Sequence, residues 1–86
     1  MPDYTITFAR SARKELEAME AAIVNRIFPK LEALAREPRP VGCRKLQGAE
    51  FLWRIRIGDY RVIYAVHDSE RLVDIVAIRH RSKAYK

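Results

Sequence analysis

With 86 residues, the chain is long enough for one domain and too short for two, and residues 1–86 are taken as that single domain. Cys43 is its only cysteine, which excludes an internal disulfide, and no apolar stretch approaches the ~18 residues that a membrane-spanning helix requires. The first residues lack the basic and apolar regions of a secretion signal, so we expect a cytoplasmic protein without a membrane partner.

The positive charge is concentrated in the second half of the sequence. The net charge is +6, and residues 1–38 hold six basic and six acidic side chains, whereas residues 39–86 hold eleven and five. Such an excess fits either a solvated basic surface or a face that binds phosphate groups. Charge alone leaves both interpretations open.

The first half of the chain predicts one strand followed by two helices. Residues 4–8 alternate apolar and polar side chains, as a half-buried strand does. Apolar residues at helical spacing then predict a first helix over about 11–18, with Ser11 as its N-cap, and a second over about 20–36. Pro29 predicts a bend within the second helix. The apolar stripes of this helical hairpin are interpreted as core.

The second half of the chain predicts a sheet. Four strands are expected, over residues 43–46, 51–57, 60–66 and 72–78. Gly58-Asp59 is typical of a two-residue hairpin turn between the second and third of them. Helices followed by a run of strands favour an α+β fold, in which an N-terminal helical hairpin packs on one face of a small antiparallel sheet.

The hairpin turn predicts which side chains share a face of the sheet. It places Arg56 directly opposite Arg61, with Arg54 on the same face, while the apolar side chains point to the helices: Trp53, Ile55, Ile57, Val62, Tyr64 and Val66. Like charges directly opposite each other destabilise a sheet, so a retained pair indicates a use, and arginine holds phosphate bidentately. The alternative is that these arginines only keep an exposed face soluble.

No other motif carries chemistry. His67 and His80 lie outside any cluster of cysteine and histidine, so no metal site is expected, and no phosphate-binding or dinucleotide-binding glycine motif indicates a cofactor. Cys43 has no identifiable catalytic partner and is interpreted as a buried structural thiol rather than a nucleophile.

Four segments in order resemble the RelE/ParE toxin superfamily: Lys45-Leu46-Gln47-Gly48, Trp53-Arg54-Ile55-Arg56, Gly58-Asp59-Tyr60-Arg61-Val62-Ile63-Tyr64 and His80-Arg81-Ser82-Lys83-Ala84-Tyr85. The resemblance covers nearly the whole chain. It implies a single RelE-like domain, the toxin of a type II toxin–antitoxin module. RelE-type toxins enter the ribosomal A site and cleave messenger RNA without a metal, by attack of a ribose 2′-OH on the adjacent phosphate.

The resemblance also implies site residues. The catalytic set would be Arg54, Arg56, Arg61, Arg79 and Tyr85, and the RNA-binding set Lys45, Arg81 and Lys83. Metal-free phosphoryl transfer needs positive groups beside the phosphate, which the first three arginines supply. Tyr85 would be the general base, activated by cations that lower its pKa, and Arg79 is the acid by resemblance only. His80 is predicted to face away from Arg79 and Arg81, as a structural residue.

Two departures from the superfamily and two competing functions remain. Arginines replace lysines on the strand over 51–57, which preserves charge but not proton donation. The chain also ends one residue after Tyr85, so the C-terminal helix seen in some relatives is not expected.

The competing functions are a ParE-like gyrase inhibitor and an inactive relative that only binds its antitoxin. The implied partners are an acidic RelB-like antitoxin, the ribosome and mRNA, with operator DNA bound only through the antitoxin.

Overall fold

The structure, a computed structural model, is a sheet of five strands with two helices packed on one face. It describes the backbone of residues 3–84 and the side chains of residues 3–82. The strands are β1 (Thr5–Phe8), β2 (Arg44–Lys45), β3 (Leu52–Ile57), β4 (Tyr60–His67) and β5 (Leu72–His80). The helices are α1 (Arg10–Glu17), α2 (Ala21–Ala33) and the single turn α3 (Arg81–Ala84). The predicted α+β class is confirmed. Within these residues, none of the helices has the length and apolar character needed to cross a membrane.

The sheet has the order β1-β5-β4-β3-β2. Strands β3, β4 and β5 form the predicted antiparallel meander, but β1 pairs with β5 in parallel, with Phe8 opposite Ile75. The prediction of an antiparallel sheet is therefore wrong at this edge. The neighbour of β1 is the last strand in sequence, so no local turn indicates the direction in which the two strands run.

The turn at Gly58-Asp59 sets the predicted register of β3 and β4. Arg56 lies directly opposite Arg61, and the pairing continues without interruption along β3. Gly58 has a φ of 60°, in the left-handed region that glycine adopts without the steric cost of a Cβ. The register predicted from the sequence is confirmed.

The core lies between the helices and one face of the sheet. The buried side chains of the helical layer are Ala12, Ile27, Leu31 and Leu34, and those of the sheet are Ile57, Val62, Tyr64, Val66, Val73, Ile75 and Ile78. Trp53 and Ile55 pack, partly buried, against this cluster. The apolar face predicted for β3 and β4 is thus the one that faces the helices.

Ser11 does not cap α1. Ala9 holds the N-cap position, with an extended backbone and no side-chain cap, while the Ser11 hydroxyl donates to the carbonyl of Val76 at 2.8 Å. Val76 is skipped in the pairing of β4 with β5, where Ile63 lies opposite Ala77 and Tyr64 opposite Ile75. The hydroxyl therefore satisfies a carbonyl at a β-bulge, and this tertiary acceptor explains why the N-cap prediction is wrong.

The second helix runs continuously through Pro29 and ends at Ala33, before the predicted limit of about 36. Leu34 is the C-cap and is buried in the core, and the N–H of Glu37 donates to the carbonyl of Ala33 in a closing turn. The helix therefore ends three residues earlier than predicted, in a turn whose first residue is part of the core.

The last strand continues to His80, beyond the predicted limit of 78, and is followed by one helical turn. The N–H of Arg81 donates to the carbonyl of Asp59 at 2.8 Å, and the N–H of Ser82 donates to Nδ1 of His80 at 3.3 Å. These acceptors satisfy N–H groups that a helix start leaves open. This single turn ends before Tyr85 and was not predicted from the sequence.

Candidate functional site

Three arginines lie side by side across the middle of the sheet. Arg56 on β3 is directly opposite Arg61 on β4, and Arg61 is directly opposite Arg79 on β5. Directly opposed residues of antiparallel strands point to the same face, with Cβ atoms about 4.5–5.5 Å apart. We call these three residues the arginine row. The sequence predicts its first pair from the turn, and the structure adds Arg79 to the same line.

Two more arginines extend the row along β3 and β2. Arg54 shares the face of Arg56, two residues away, and Arg44 lies opposite Arg54. The five residues form what we call the arginine face, on the side of the sheet that points away from the core: Arg44, Arg54, Arg56, Arg61 and Arg79. Arg44 is not among the residues predicted from the sequence, because a strand of two residues carries no alternation that indicates which side chain faces which way.

Lys45 lies on the other side of the sheet. It is opposite Trp53, which packs against the core, so alternation along β2 directs its side chain away from the arginine face. The prediction that groups Lys45 with the RNA-binding residues therefore has no support from the register. Of the two residues of β2, Arg44 is the one on the arginine face.

The two outer members of the arginine row are held through their Nε atoms. Nε of Arg56 donates to the carbonyl of Gly58 at 3.2 Å, and Nε of Arg79 donates to Oε2 of Glu15 at 3.3 Å. Within residues 3–82, the terminal guanidinium nitrogens of Arg56 and Arg79 have no hydrogen bonds to side chains or backbone. Arg61, half-buried, lies between them. The outer guanidiniums can therefore present their terminal nitrogens to an anion on the open face.

Glu15 reaches the arginine row from the helical layer. Its Oε1 accepts the backbone N–H of Ile78 at 2.7 Å, and its Oε2 accepts from Arg79. Strand β1 ends opposite Ile75, so Ile78 is on a part of β5 whose outer edge β1 does not cover. The carboxylate thus fills an open hydrogen-bonding position at the sheet edge and contacts one arginine of the row from there.

His80 is placed as the sequence predicts, away from the arginine face. It lies opposite Tyr60, and the two rings meet edge to face with centroids 5.3 Å apart. Its Nδ1 accepts the N–H of Ser82, which assigns the ring a role at the start of α3. This contact supports the structural interpretation of His80.

The remaining predicted residues follow the end of β5. Arg81 begins α3, so the strand alternation that was expected to place it beside Arg79 does not apply to it. Lys83 belongs to the same helical turn. Tyr85 lies outside the described residues, and its function as the base stays a prediction. Among residues 3–84, no three side chains of His, Cys, Asp or Glu are grouped as ligands of a metal ion.

Comparison with known proteins gives consistent matches over nearly the whole chain. The family model described as "ParE toxin of type II toxin-antitoxin system, parDE" matches residues 6–85. The toxin RelE of Mycobacterium tuberculosis is 35% identical over 82 residues, covering 95% of this chain and 81% of the relative. The toxin RelG of the same organism is 33% identical over 90 residues, covering 96% of this chain and 97% of the relative.

Solved structures match the fold at similar coverage. The archaeal RelE–RelB complex from Pyrococcus horikoshii gives a TM-score of 0.81 at 29% identity and covers 94% of this chain and 98% of its own matched chain. The isolated Escherichia coli RelE toxin gives a TM-score of 0.78 at 26% identity, with coverage of 95% and 90%. The likeness therefore extends over the sheet and the helical layer together.

Proposed function

Because the chain belongs to the RelE/ParE superfamily of toxins of type II toxin–antitoxin systems, we propose that it is a ribosome-dependent endoribonuclease that cleaves mRNA in the A site. The relatives named RelE support this activity over others within the superfamily. The arginine row is the observation that carries the proposal.

The arginine row suits the phosphate of a scissile RNA linkage. Arg56, Arg61 and Arg79 lie on three adjacent strands, and strands in a sheet are about 4.8 Å apart. Three guanidiniums at that spacing can surround one or two backbone phosphates and stabilise the charge that develops in the transition state. A set placed only for solubility would not need three like charges directly opposite one another, since such pairs destabilise the sheet.

The proposed reaction is an internal transesterification. The ribose 2′ oxygen attacks the adjacent phosphorus, its proton passes to a base, and the bond from phosphorus to the 5′ oxygen breaks as that oxygen takes up a proton. The products are a 2′,3′-cyclic phosphate and a free 5′ hydroxyl. Arg54 and the arginine row hold the phosphate, and we assign the base to Tyr85 and the acid to Arg79 by resemblance.

A ParE-like gyrase inhibitor is the second candidate function. The observation in its favour is the family model itself, which is described as a ParE toxin and matches residues 6–85. In that case the arginine face would bind a protein surface or DNA and would carry out no cleavage. An inactive relative that binds only its antitoxin is the third possibility.

The test is induced expression of the chain followed by primer extension on cellular messages. A ribonuclease that acts in the A site is expected to cut within translated codons, with the cuts lost when translation initiation is blocked. Intact messages together with induction of the DNA-damage response would contradict the proposal and favour gyrase as the target. Intact messages without DNA damage would favour the inactive relative.

The proposed partner is an acidic, RelB-like antitoxin. The matching structure from Pyrococcus horikoshii is a complex of RelE with RelB. The arginine face gives an acidic segment a surface of complementary charge, on which a disordered chain could fold as it binds. Operator DNA would then be bound only through the antitoxin, and the ribosome and its mRNA would be the partners of the released toxin.

A further inference from the structure

Glu15 is an acidic side chain that contacts the arginine row, and both of its carboxylate oxygens accept hydrogen bonds. Oε1 accepts the N–H of Ile78 at 2.7 Å, a short charge-assisted hydrogen bond, and Oε2 accepts Nε of Arg79 at 3.3 Å. The backbone N–H fixes the carboxylate relative to β5. A guanidinium that donates Nε to this fixed acceptor is restricted in its rotation.

The contact is poorly placed to add stability. The side chains of Arg79 and Glu15 are 49% and 29% exposed, and ion pairs this accessible to water contribute little to stability. The geometry of the contact is better suited to orienting the Arg79 guanidinium. Only Nε is engaged by Glu15, which leaves the two terminal nitrogens of Arg79 to be directed at an anion beside Arg61.

We infer that Glu15 is a positioning residue for the proposed ribonuclease: it orients the Arg79 guanidinium so that its terminal nitrogens point across the arginine row to the RNA phosphate. The inference rests on the proposed function for its substrate. It assigns Glu15 no contact with RNA, since the carboxylate repels phosphate and acts only through Arg79. Helix α1 thereby contributes to the site through one side chain at the edge of β5.

Glu15→Gln is the discriminating variant. Glutamine keeps a carbonyl oxygen that can accept the N–H of Ile78, and its amide then turns an N–H₂ donor toward Nε of Arg79, which is also a donor. The Arg79 contact is lost while the strand-edge hydrogen bond is kept. Glu17→Gln is the matched control, because Glu17 is exposed on the same helix and the substitution removes the same charge.

The first measurement is independent of ribonuclease activity. The Nε–H signal of Arg79 is followed by NMR while inorganic phosphate is added to the purified toxin. The parent and Glu17→Gln are expected to show a slowly exchanging Nε–H and a phosphate response at Arg79. In Glu15→Gln the exchange is expected to be faster and the response weaker. An unchanged Arg79 signal in Glu15→Gln would overturn the inference, whether or not the protein cleaves RNA.

The second measurement is ribosome-dependent cleavage at saturating substrate. Misorientation of one phosphate-binding group is expected to lower kcat by about tenfold in Glu15→Gln, with KM and the melting temperature near those of the parent. A kcat equal to or above that of the parent would show that Glu15 is passive or inhibitory and would overturn the inference. If the parent itself does not cleave, the proposed function fails, and the phosphate titration alone decides how Arg79 is oriented.

Discussion

At the scale of single residues, the site is a set of like charges held at short distance. Arg61 is the central member of the arginine row, with Arg56 opposite it on one side and Arg79 on the other. The two outer guanidiniums are oriented by acceptors of the protein, a turn carbonyl and the Glu15 carboxylate. If the arginine row binds phosphate as proposed, removing the charge of Arg61 relieves repulsion but weakens that binding.

Arg61→Ala is expected to lose cleavage with little change in stability. Removal of one charge-stabilising donor typically lowers the rate by about 10²–10³-fold. Relief of repulsion with two neighbours should offset the contacts that the half-buried Arg61 side chain gives up, so the free energy of unfolding should stay within about 1 kcal/mol of the parent. Growth arrest, ribosome-dependent cleavage and thermal melting measure the two effects separately. Cleavage at a near-parental rate would show that the arginine face is not the active site.

Arg44→Ala and Lys45→Ala form a second, matched test. The two side chains are adjacent in sequence and equal in charge, but the register places only Arg44 on the arginine face. We expect Arg44→Ala to raise KM for the ribosome–mRNA complex by about three- to tenfold, as loss of one phosphate contact does, while Lys45→Ala stays near the parent. Steady-state cleavage kinetics at one salt concentration measure the two KM values. A larger rise in KM for Lys45→Ala than for Arg44→Ala would contradict the assignment of these residues to opposite faces.

At the scale of elements, the segment between α2 and β2 is tied to the rest of the molecule by polar contacts. Arg39 pairs through both terminal nitrogens with Asp68, at 3.3 and 2.7 Å, and lies over the Trp53 ring at 5.2 Å. The buried Tyr64 hydroxyl donates to the carbonyl of Pro38 at 2.8 Å. Burial raises the pKa of Tyr64, so this hydroxyl keeps its proton as a donor. These contacts hold the segment that leads into β2 and so help to place Arg44.

Asp68 makes this connection sensitive to acid. Hydrogen bonds from Arg39 and then from Tyr4 lower the pKa of Asp68 below its ordinary value of about 4. A lowered pKa in the folded state means that its contribution to stability is complete above pH 4 and is lost as the pH falls through the folded-state pKa.

The prediction is that Asp68→Asn melts lower than the parent at pH 7, and that the difference shrinks as the pH falls below 4. Thermal melting of both proteins across this range measures it. Glu70→Gln is the control, because Glu70 is exposed in the same turn and the variant should follow the parent at every pH. A difference between Asp68→Asn and the parent that does not change with pH would contradict a contribution from the ionised carboxylate.

In the molecule as a whole, the two faces of the sheet have different compositions. The helical layer and the apolar face of the sheet form the core, while the opposite face carries the five arginines. Folding stability and the proposed phosphate binding thereby belong to opposite faces of one sheet. Variants of the arginine face can change function with little effect on the core.

The antitoxin complex is expected to depend on salt through this face. Its affinity for the co-encoded acidic partner should fall as ionic strength rises, because the attraction between exposed charges is screened. The double variant Arg54→Ala/Arg56→Ala should bind more weakly and with a smaller salt dependence, while Arg10→Ala/Arg13→Ala on α1 is the control with equal charge loss. Calorimetric titration at several salt concentrations measures the affinity and its salt dependence for the parent and for each double variant. Equal salt dependence in the two double variants would place the antitoxin elsewhere.

Local pattern was enough to predict much of this molecule. The alternation along β3 and β4 and the Gly58-Asp59 turn predict the register that sets Arg56 opposite Arg61, because a two-residue turn leaves one way to pair the strands that buries the apolar face. The order of helices and strands likewise predicts an α+β fold with the arginines on the face away from the helices.

Contacts between distant parts of the chain could not be predicted from the sequence and are seen only in the tertiary structure. The parallel pairing of β1 with β5, the bulge at Val76 that receives the Ser11 hydroxyl, and the contact of Glu15 with Arg79 each join residues more than sixty positions apart. The face taken by Arg44 rather than Lys45 depends on how a two-residue strand docks on β3, and a strand that short carries no alternation of its own. Pairs of residues joined by a tight turn can be predicted because their geometry is local, whereas long-range contacts depend on how the whole core packs.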